Sequence, residues 1–307
     1  MIRLVLVRLA GAVPTLAVIV TLSFFLMRLA PGGPFDRERQ LEPAVMENLR
    51  QTFLLDRPLW EQYLHYLGNL AAGDMGPSFI YRDFRVQELI MAGLPASAAL
   101  GAMALALAFA LGLALGAVAA MYRGGAIDTA VTAVATFGIT VPTFVTAPVL
   151  SLVFGVWLEW LPAGGWEGAS PAHVLLPVLT LALPQVAVIA RLVRAGMIEA
   201  LRSDSVRTAR AYGLSVWRIV VARALRQACL PAVSYLGPAA AALMTGSIVV
   251  ETIFGIPGIG RYFVQGALNR DYTLVMGTVI VVAVFVVLFN LIVDLLYAAL
   301  DPRVRHG

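Results

Sequence analysis

The sequence predicts an all-α integral membrane protein with six transmembrane helices and both termini cytoplasmic. Two observations set the class. Mean hydropathy is +0.85, and only 13% of the 307 residues are charged, a balance outside the range of soluble domains. Uncharged runs then define six windows: Leu9–Met27, Leu89–Tyr122, Thr129–Leu158, Gly168–Ala190, Gln227–Val250 and Tyr272–Val293. Each reaches the roughly 18–20 residues with which a helix crosses the hydrocarbon. Backbone groups that find no water there are satisfied within a helix.

A third observation orients the windows. Arg3, Arg8, Arg123, the eight arginines from Arg191 to Arg226, Arg303 and Arg305 fall on the side of the termini, thirteen in all. Nine fall on the other side, but seven of these, Arg28 to Arg85, lie in or beside a segment long enough to translocate largely regardless of its charge. Among short loops only Arg261 and Arg270 oppose the thirteen.

Taken in order, the first window follows Arg3 and Arg8 as a signal peptide would. Its 19 residues and the lack of a clean small-residue cleavage pattern mark a retained span instead, within residues 1–30. Residues 31–94 form the one sizeable non-membrane segment, extracytoplasmic by the even span count. Pro58 can start a helix there in which Leu59, Tyr63, Tyr66, Leu67 and Leu70 share a face that packs on the membrane or the spans. Residues 95–307 hold the remaining spans. Gly112 and Gly116 form a small-xxx-small pair that, with Gly101, allows close helix contact. Pro142 and Pro148 in the third window, and Pro177 and Pro184 in the fourth, read as kinks that neighbouring helices tolerate.

The loop at residues 199–230 carries six arginines, more than a topological anchor needs. Asp204–Tyr212 reads as a helix, with Asp204 in its first turn and Gly213 at the C′ position. In the next helix Trp217, Val220, Val221, Ala224, Leu225 and Ala228 recur on one face, with Arg218, Arg223 and Arg226 mostly opposite. Pro231 then reads as the start of the fifth span. Two short helices around a glycine form a rigid protrusion, which by pattern alone also suits an interfacial helix pair on anionic lipid. Thr252–Asp271, with Gly255, Pro257, Gly258 and Gly260 followed by Tyr262, Phe263 and Leu268, reads as a turn and a short interfacial helix. Asp294 is the acid that falls within the hydrocarbon. Its place near the cytoplasmic end favours a structural partner such as an arginine of that side.

Several chemistries are excluded. The chain has no lysine, so neither a P-loop nor a Schiff-base mechanism is available. Cys229 is the single cysteine and makes no internal disulfide. His65, His173 and His306 lack ligand spacing, and no HExxH or G-x-S-x-G run exists. No metal or cofactor is expected in the chain, and its sorted positive charge is not that of a nucleic-acid binder. A stand-alone secondary transporter would want inverted repeats and midplane charges, and neither is clear.

Seven segments in register resemble the peptide branch of bacterial ABC importer permeases. They are Leu55–Phe79, LPASAALG (Leu94–Gly101), ITVPTFVTAPVL (Ile139–Leu150), WLPAGGW (Trp160–Trp166), GSIVVETIFGIPGIG (Gly246–Gly260), ALNRDY (Ala267–Tyr272) and Val293–Arg305. RTARAYGL, Arg207–Leu214, resembles that family's cytoplasmic signature loop, with Arg207-Thr208-Ala209 in place of Glu-Ala-Ala, then Gly213 and Leu230-Pro231. The resemblance implies the B-type membrane subunit of an oligopeptide importer, with dipeptide, glutathione and nickel-chelate permeases as family alternatives. It implies a second homologous permease as heterodimer partner, two cytoplasmic ATPases that carry ATP and Mg, an extracytoplasmic peptide-binding protein, and an inner-membrane location. It assigns the ATPase-coupling contact to Arg207, Thr208, Ala209, Arg210, Gly213 and Leu214. It places an outer gate or binding-protein dock at Glu251, Phe254, Pro257, Gly258, Arg261 and Asp271.

Overall fold

A computed structural model describes residues 2–29, 54–81 and 83–300. Residues 31–53 of the expected extracytoplasmic segment lie outside the described part. Among the described residues the chain is helical, with one isolated antiparallel bridge between Pro77 and Arg85. The elements are α1 (Ile2–Leu29), α2 (Leu59–Ala71), α3 (Val86–Met121), α4 (Ala126–Thr140) and α5 (Thr143–Leu150), the last continuing as a π-helix over Ser151–Trp157. They are followed by α6 (Pro171–Arg202), α7 (Asp204–Ala211) and α8 (Val216–Ile219), a π-turn over Val220–Ala224, α9 (Leu225–Phe254), α10 (Ile259–Leu268) and α11 (Tyr272–Leu300).

Among the described residues five helices are long and apolar enough to cross a membrane: Val5–Leu29, Val86–Met121, Pro171–Arg202, Val216–Met244 and Tyr272–Tyr297. The third window is not one straight span. It divides into α4 and α5, bent by 104° at the break. Val141, the residue before Pro142, is pushed out of helical geometry (φ −84, ψ 119), because the proline ring clashes with a helical predecessor. Pro142 then caps α5. Pro177 and Pro184, by contrast, sit inside an unbroken α6.

Pro231 does not begin a span. The helix runs through it from Val216, and Pro238 lies inside it too. The π-turn inserts a residue and rotates the faces on either side. Ile219, Val220, Ala224 and Ala228 are therefore buried, while Trp217 and Val221 of the expected apolar face are exposed.

The core forms where α3 and α6 pack along their length. A Cβ on Gly116 would stand 2.5 Å from the Ala190 carbonyl oxygen, and one on Gly112 2.6 Å from Ile189 Cγ2, so the small-xxx-small pair sets this close approach. One apolar cluster joins Leu100, Ala104, Leu176, Leu181, Leu243 and Phe254, and another joins Ile189, Val193, Met197, Val220, Ala224 and Ala228. α1 lies at the periphery. α2 packs on it through Tyr63 and Tyr66 against Phe24, with ring centroids 5.3 and 5.9 Å away. Tyr63 Oη also pairs with Thr21 Oγ1 at 2.7 Å. Tyr63 and Tyr66 of the face expected from Pro58 onward thus dock on the first span, while Leu59 is exposed, and burial pushes the Tyr66 phenol up to about 12.

Candidate functional site: a two-helix protrusion and a glycine-rich turn at opposite ends of one helix

α7 ends in a Schellman cap. Gly213 adopts φ +71, its N–H donates to the Arg210 carbonyl at 2.9 Å, and the Leu214 N–H donates to the Ala209 carbonyl at 3.2 Å. Half-buried Leu214 closes over Val206, Ala209 and Ile219, so the turn is fixed by packing as well as by hydrogen bonds. Ser215 caps the next helix by accepting from the Arg218 N–H at 3.4 Å. Thr208 Oγ1 donates to the Asp204 carbonyl at 2.9 Å, and Arg207 Nη1 lies 3.3 Å from Asp204 Oδ1 with both side chains in solvent.

The protrusion presents two surfaces at once. Arg207, Arg210, Arg218, Arg223 and Arg226 are all exposed. Beside them stand exposed Val216, Tyr212 (82%) and Trp217 (72%). Large apolar side chains among arginines suit contact with a protein or with an anionic lipid surface. Of the six residues assigned here, Ala209 is buried and belongs to the cap. Arg207, Thr208, Arg210 and Gly213 lie on the surface.

From Leu225 to Phe254, α9 is 30 residues long, about 45 Å at 1.5 Å per residue. At its far end Gly255 takes φ +67 and the chain turns through 91° into α10. Glu251 organises this turn. Its carboxylate, fully buried, accepts from Ser97 Oγ at 2.7 Å and from the Gly260 N–H at 2.7 Å, while Ser97 Oγ accepts from the Ile259 N–H at 2.9 Å. A Cβ on Gly258 would overlap the Glu251 carboxylate, and one on Gly260 would stand 2.5 Å from Ile248 Cα. The Phe254 carbonyl accepts from the Gly165 N–H at 2.7 Å, which brings the WLPAGGW segment to the same turn.

Asp271 is also fully buried. It accepts from Ser78 Oγ (2.5 Å), the Phe79 N–H (2.9 Å) and the Ile80 N–H (3.2 Å), and caps α11 through the Leu274 N–H (3.0 Å). Four of the assigned gate residues, Glu251, Phe254, Gly258 and Asp271, therefore lie in the interior and shape the turn from within. Pro257 and Arg261 reach the surface in part, with the Arg261 guanidinium 4.7 Å from the Tyr262 ring.

One pair escapes a reading along the chain. Asp128, buried in the first turn of α4, accepts from Arg194 Nε at 2.5 Å and Nη2 at 2.7 Å, and from the Gly124 N–H at 2.8 Å. The available signal was two opposite charges flanking windows that end on the same side. His173 engages Ser170 Oγ at 2.7 Å, and among the described residues no cluster of His, Cys, Asp or Glu is built to hold a metal ion.

Comparison with known proteins places this architecture. The family model described as binding-protein-dependent transport system inner membrane component matches residues 112–306, and that for the N-terminal part of such membrane components matches residues 1–100. The oligopeptide transport system permease proteins OppB of Haemophilus influenzae and Escherichia coli are each 48% identical over 306 residues, covering 100% of this chain and 100% of the relative. The dipeptide transport system permease protein DppB of Bacillus subtilis is 42% identical, covering 99% of this chain and 98% of its own. Among solved structures, the inward-facing MetNI methionine ABC transporter matches with a TM-score of 0.56 at 19% identity, over 70% of this chain and 97% of that one, a likeness of fold. The turn around Glu251 and the capped helices α7 and α8 thus belong to a permease, and the chain is a member of the binding-protein-dependent transport system inner membrane component family.

Proposed function

We propose that the chain is the membrane-spanning permease subunit of an ATP-driven, binding-protein-dependent importer and forms half of the pathway for oligopeptides. The observation that carries this reading is the continuous helix from Val216 to Phe254, with an arginine-rich, aromatic-tipped protrusion at one end and the Glu251 turn at the other. Full-length similarity to oligopeptide permeases at 48% identity supports the substrate class. The dipeptide relative at 42% makes shorter peptides the second reading.

In this reading both termini and the α7–α8 protrusion are cytoplasmic. Six crossings result if the bent α4–α5 pair crosses once and α10 lies at the interface. Residues 1–30 hold the first span, residues 31–94 are extracytoplasmic, and residues 95–307 form the core, with residues 199–230 as the coupling loop. Arg207, Thr208, Arg210 and the Gly213–Leu214 cap meet a partner ATPase, on which ATP and Mg are bound. The protrusion acts as a rigid lever, so ATPase closure rocks α9 and the spans packed on it. Pro257 and Arg261 face a docked binding protein, while Glu251, Phe254, Gly258 and Asp271 hold the turn in shape. A second, homologous permease completes the pathway.

The test is uptake of labelled tri- to pentapeptides by cells with and without this subunit. Deletion is expected to abolish uptake. Unchanged oligopeptide uptake with loss of dipeptide or nickel uptake would overturn the substrate class and leave the importer architecture standing.

A further inference from the structure

α4 is held in an unusual way. Of its 15 residues only Asp128 and Ala135 are buried. Beside its middle, between it and α6, an apolar groove of about 190 Å³ opens to the surface, lined by Val131, Val134, Gly138, Leu183, Val186 and Ala187. At one end the helix is tied to α6 by the bidentate Asp128–Arg194 pair, and at the other it stops at the Val141–Pro142 break, bent 104° from α5. A helix tied to α6 at one end and broken from α5 at the other, with most of its surface left unburied by this chain, can tilt about its tie.

The pin stands on the body that carries the protrusion. Arg194 lies eight residues before Arg202, the end of α6, about 12 Å along the helix axis. Only Ser203 separates α6 from α7, and its Oγ donates back to the Ala200 carbonyl at 2.7 Å. Met197 and Ala200 pack with Val220, Ala224 and Ala228, and a Cβ on Gly196 would stand 3.0 Å from Ala228 Cα. The end of α6, the protrusion and the start of α9 are therefore one rigid unit, which an ATPase pushing on the protrusion would move together.

We infer that Asp128 and Arg194 are positioning residues for transport: the pair transmits displacement of the α6–α7–α8 unit to α4, which pivots about it toward the α4–α5 elbow. This deepens the importer reading and rests on it. A guanidinium fork on a carboxylate suits such a joint, because two parallel hydrogen bonds fix direction as well as distance, whereas an ammonium at the same place supplies charge without direction.

The experiment uses the complete complex, with partner ATPases and binding protein, in proteoliposomes. Peptide uptake per ATP hydrolysed is compared for wild type, Asp128→Asn, Arg194→Lys and the exchange Asp128→Arg/Arg194→Asp. Both single variants are expected to retain ATP hydrolysis while uptake per ATP falls roughly tenfold, the scale of a coupling loss between linked sites. The exchange is expected to recover most of it. Wild-type uptake per ATP in Arg194→Lys would overturn the inference. So would parallel loss of assembly, hydrolysis and uptake in every variant including the exchange, which is the mark of a purely structural pair. Failure of the wild-type complex to transport peptides would instead overturn the importer reading itself.

Discussion

Arg8 of α1 and Asp294 of α11, 286 positions apart, meet at 2.8 Å between Nε and Oδ2. The acid expected to lie within the hydrocarbon thus has an arginine partner, and the pair ties the first helix to the last. Arg8 precedes the first uncharged window and is more than half exposed, so the pair stands at the end of the span where water reaches it and contributes little, under about 1 kcal/mol. Asp294→Asn is therefore expected to lower the melting temperature of the detergent-solubilised complex only slightly and to leave peptide uptake near wild type. A large loss of uptake at unchanged stability would make Asp294 a functional carboxylate.

Gly213 gives a sharper outcome. Nothing lies within 4 Å of a Cβ built there, so only its positive φ opposes a side chain. Gly213→Val is expected to cost on the order of 1–2 kcal/mol locally and to uncouple uptake from ATP hydrolysis. Gly213→Asn, which tolerates the left-handed region better, should retain more coupling. Equal uptake in both variants and wild type would reduce the protrusion to a topological anchor.

At the Glu251 turn, Glu251→Ala would leave the Ser97 hydroxyl and the Gly260 N–H without their acceptor. Each orphaned buried donor costs about 1–3 kcal/mol. Thermal denaturation of the solubilised complex should show a marked loss of stability. Gly258→Ala, whose new methyl overlaps the Glu251 carboxylate, should act in the same direction. Pro257→Ala, at a partly exposed position, should spare stability and weaken binding-protein stimulation. Two stable variants at 251 and 258 would show that the turn is not organised by this carboxylate.

Orientation is open to direct labelling in a Cys229→Ser background. Ser78 makes a poor reporter because it is buried against Asp271. Asp83 and Tyr212 are exposed. Cysteines at these two positions are expected to react with an impermeant reagent from opposite faces, Asp83→Cys from outside intact cells and Tyr212→Cys only after disruption. Labelling of both from outside would reverse the topology.

Much of this protein is decided by sequence alone, and the reason is local. Hydrocarbon leaves the backbone no partner but itself, so uncharged windows of sufficient length become helices wherever they fall. Gly213 terminates α7 because its own backbone accepts φ +71, and the α2 face that follows Pro58 is legible from its spacing. The tertiary structure decided direction and pairing. Hydropathy counts apolar residues without saying which way they run, so the 104° bend at Val141 was hidden inside one apolar window. A single residue inserted at Val220–Ala224 turned Trp217 and Val221 outward, against the expected helix face. Glu251 and Asp271 are assigned to an outer gate or dock by resemblance, and only packing encloses them with Ser97 and Ser78, partners more than 150 positions away. Asp128 and Arg194 meet, as Arg8 and Asp294 do, only because helices distant in sequence are packed side by side, and no local rule of spacing or capping contains that information.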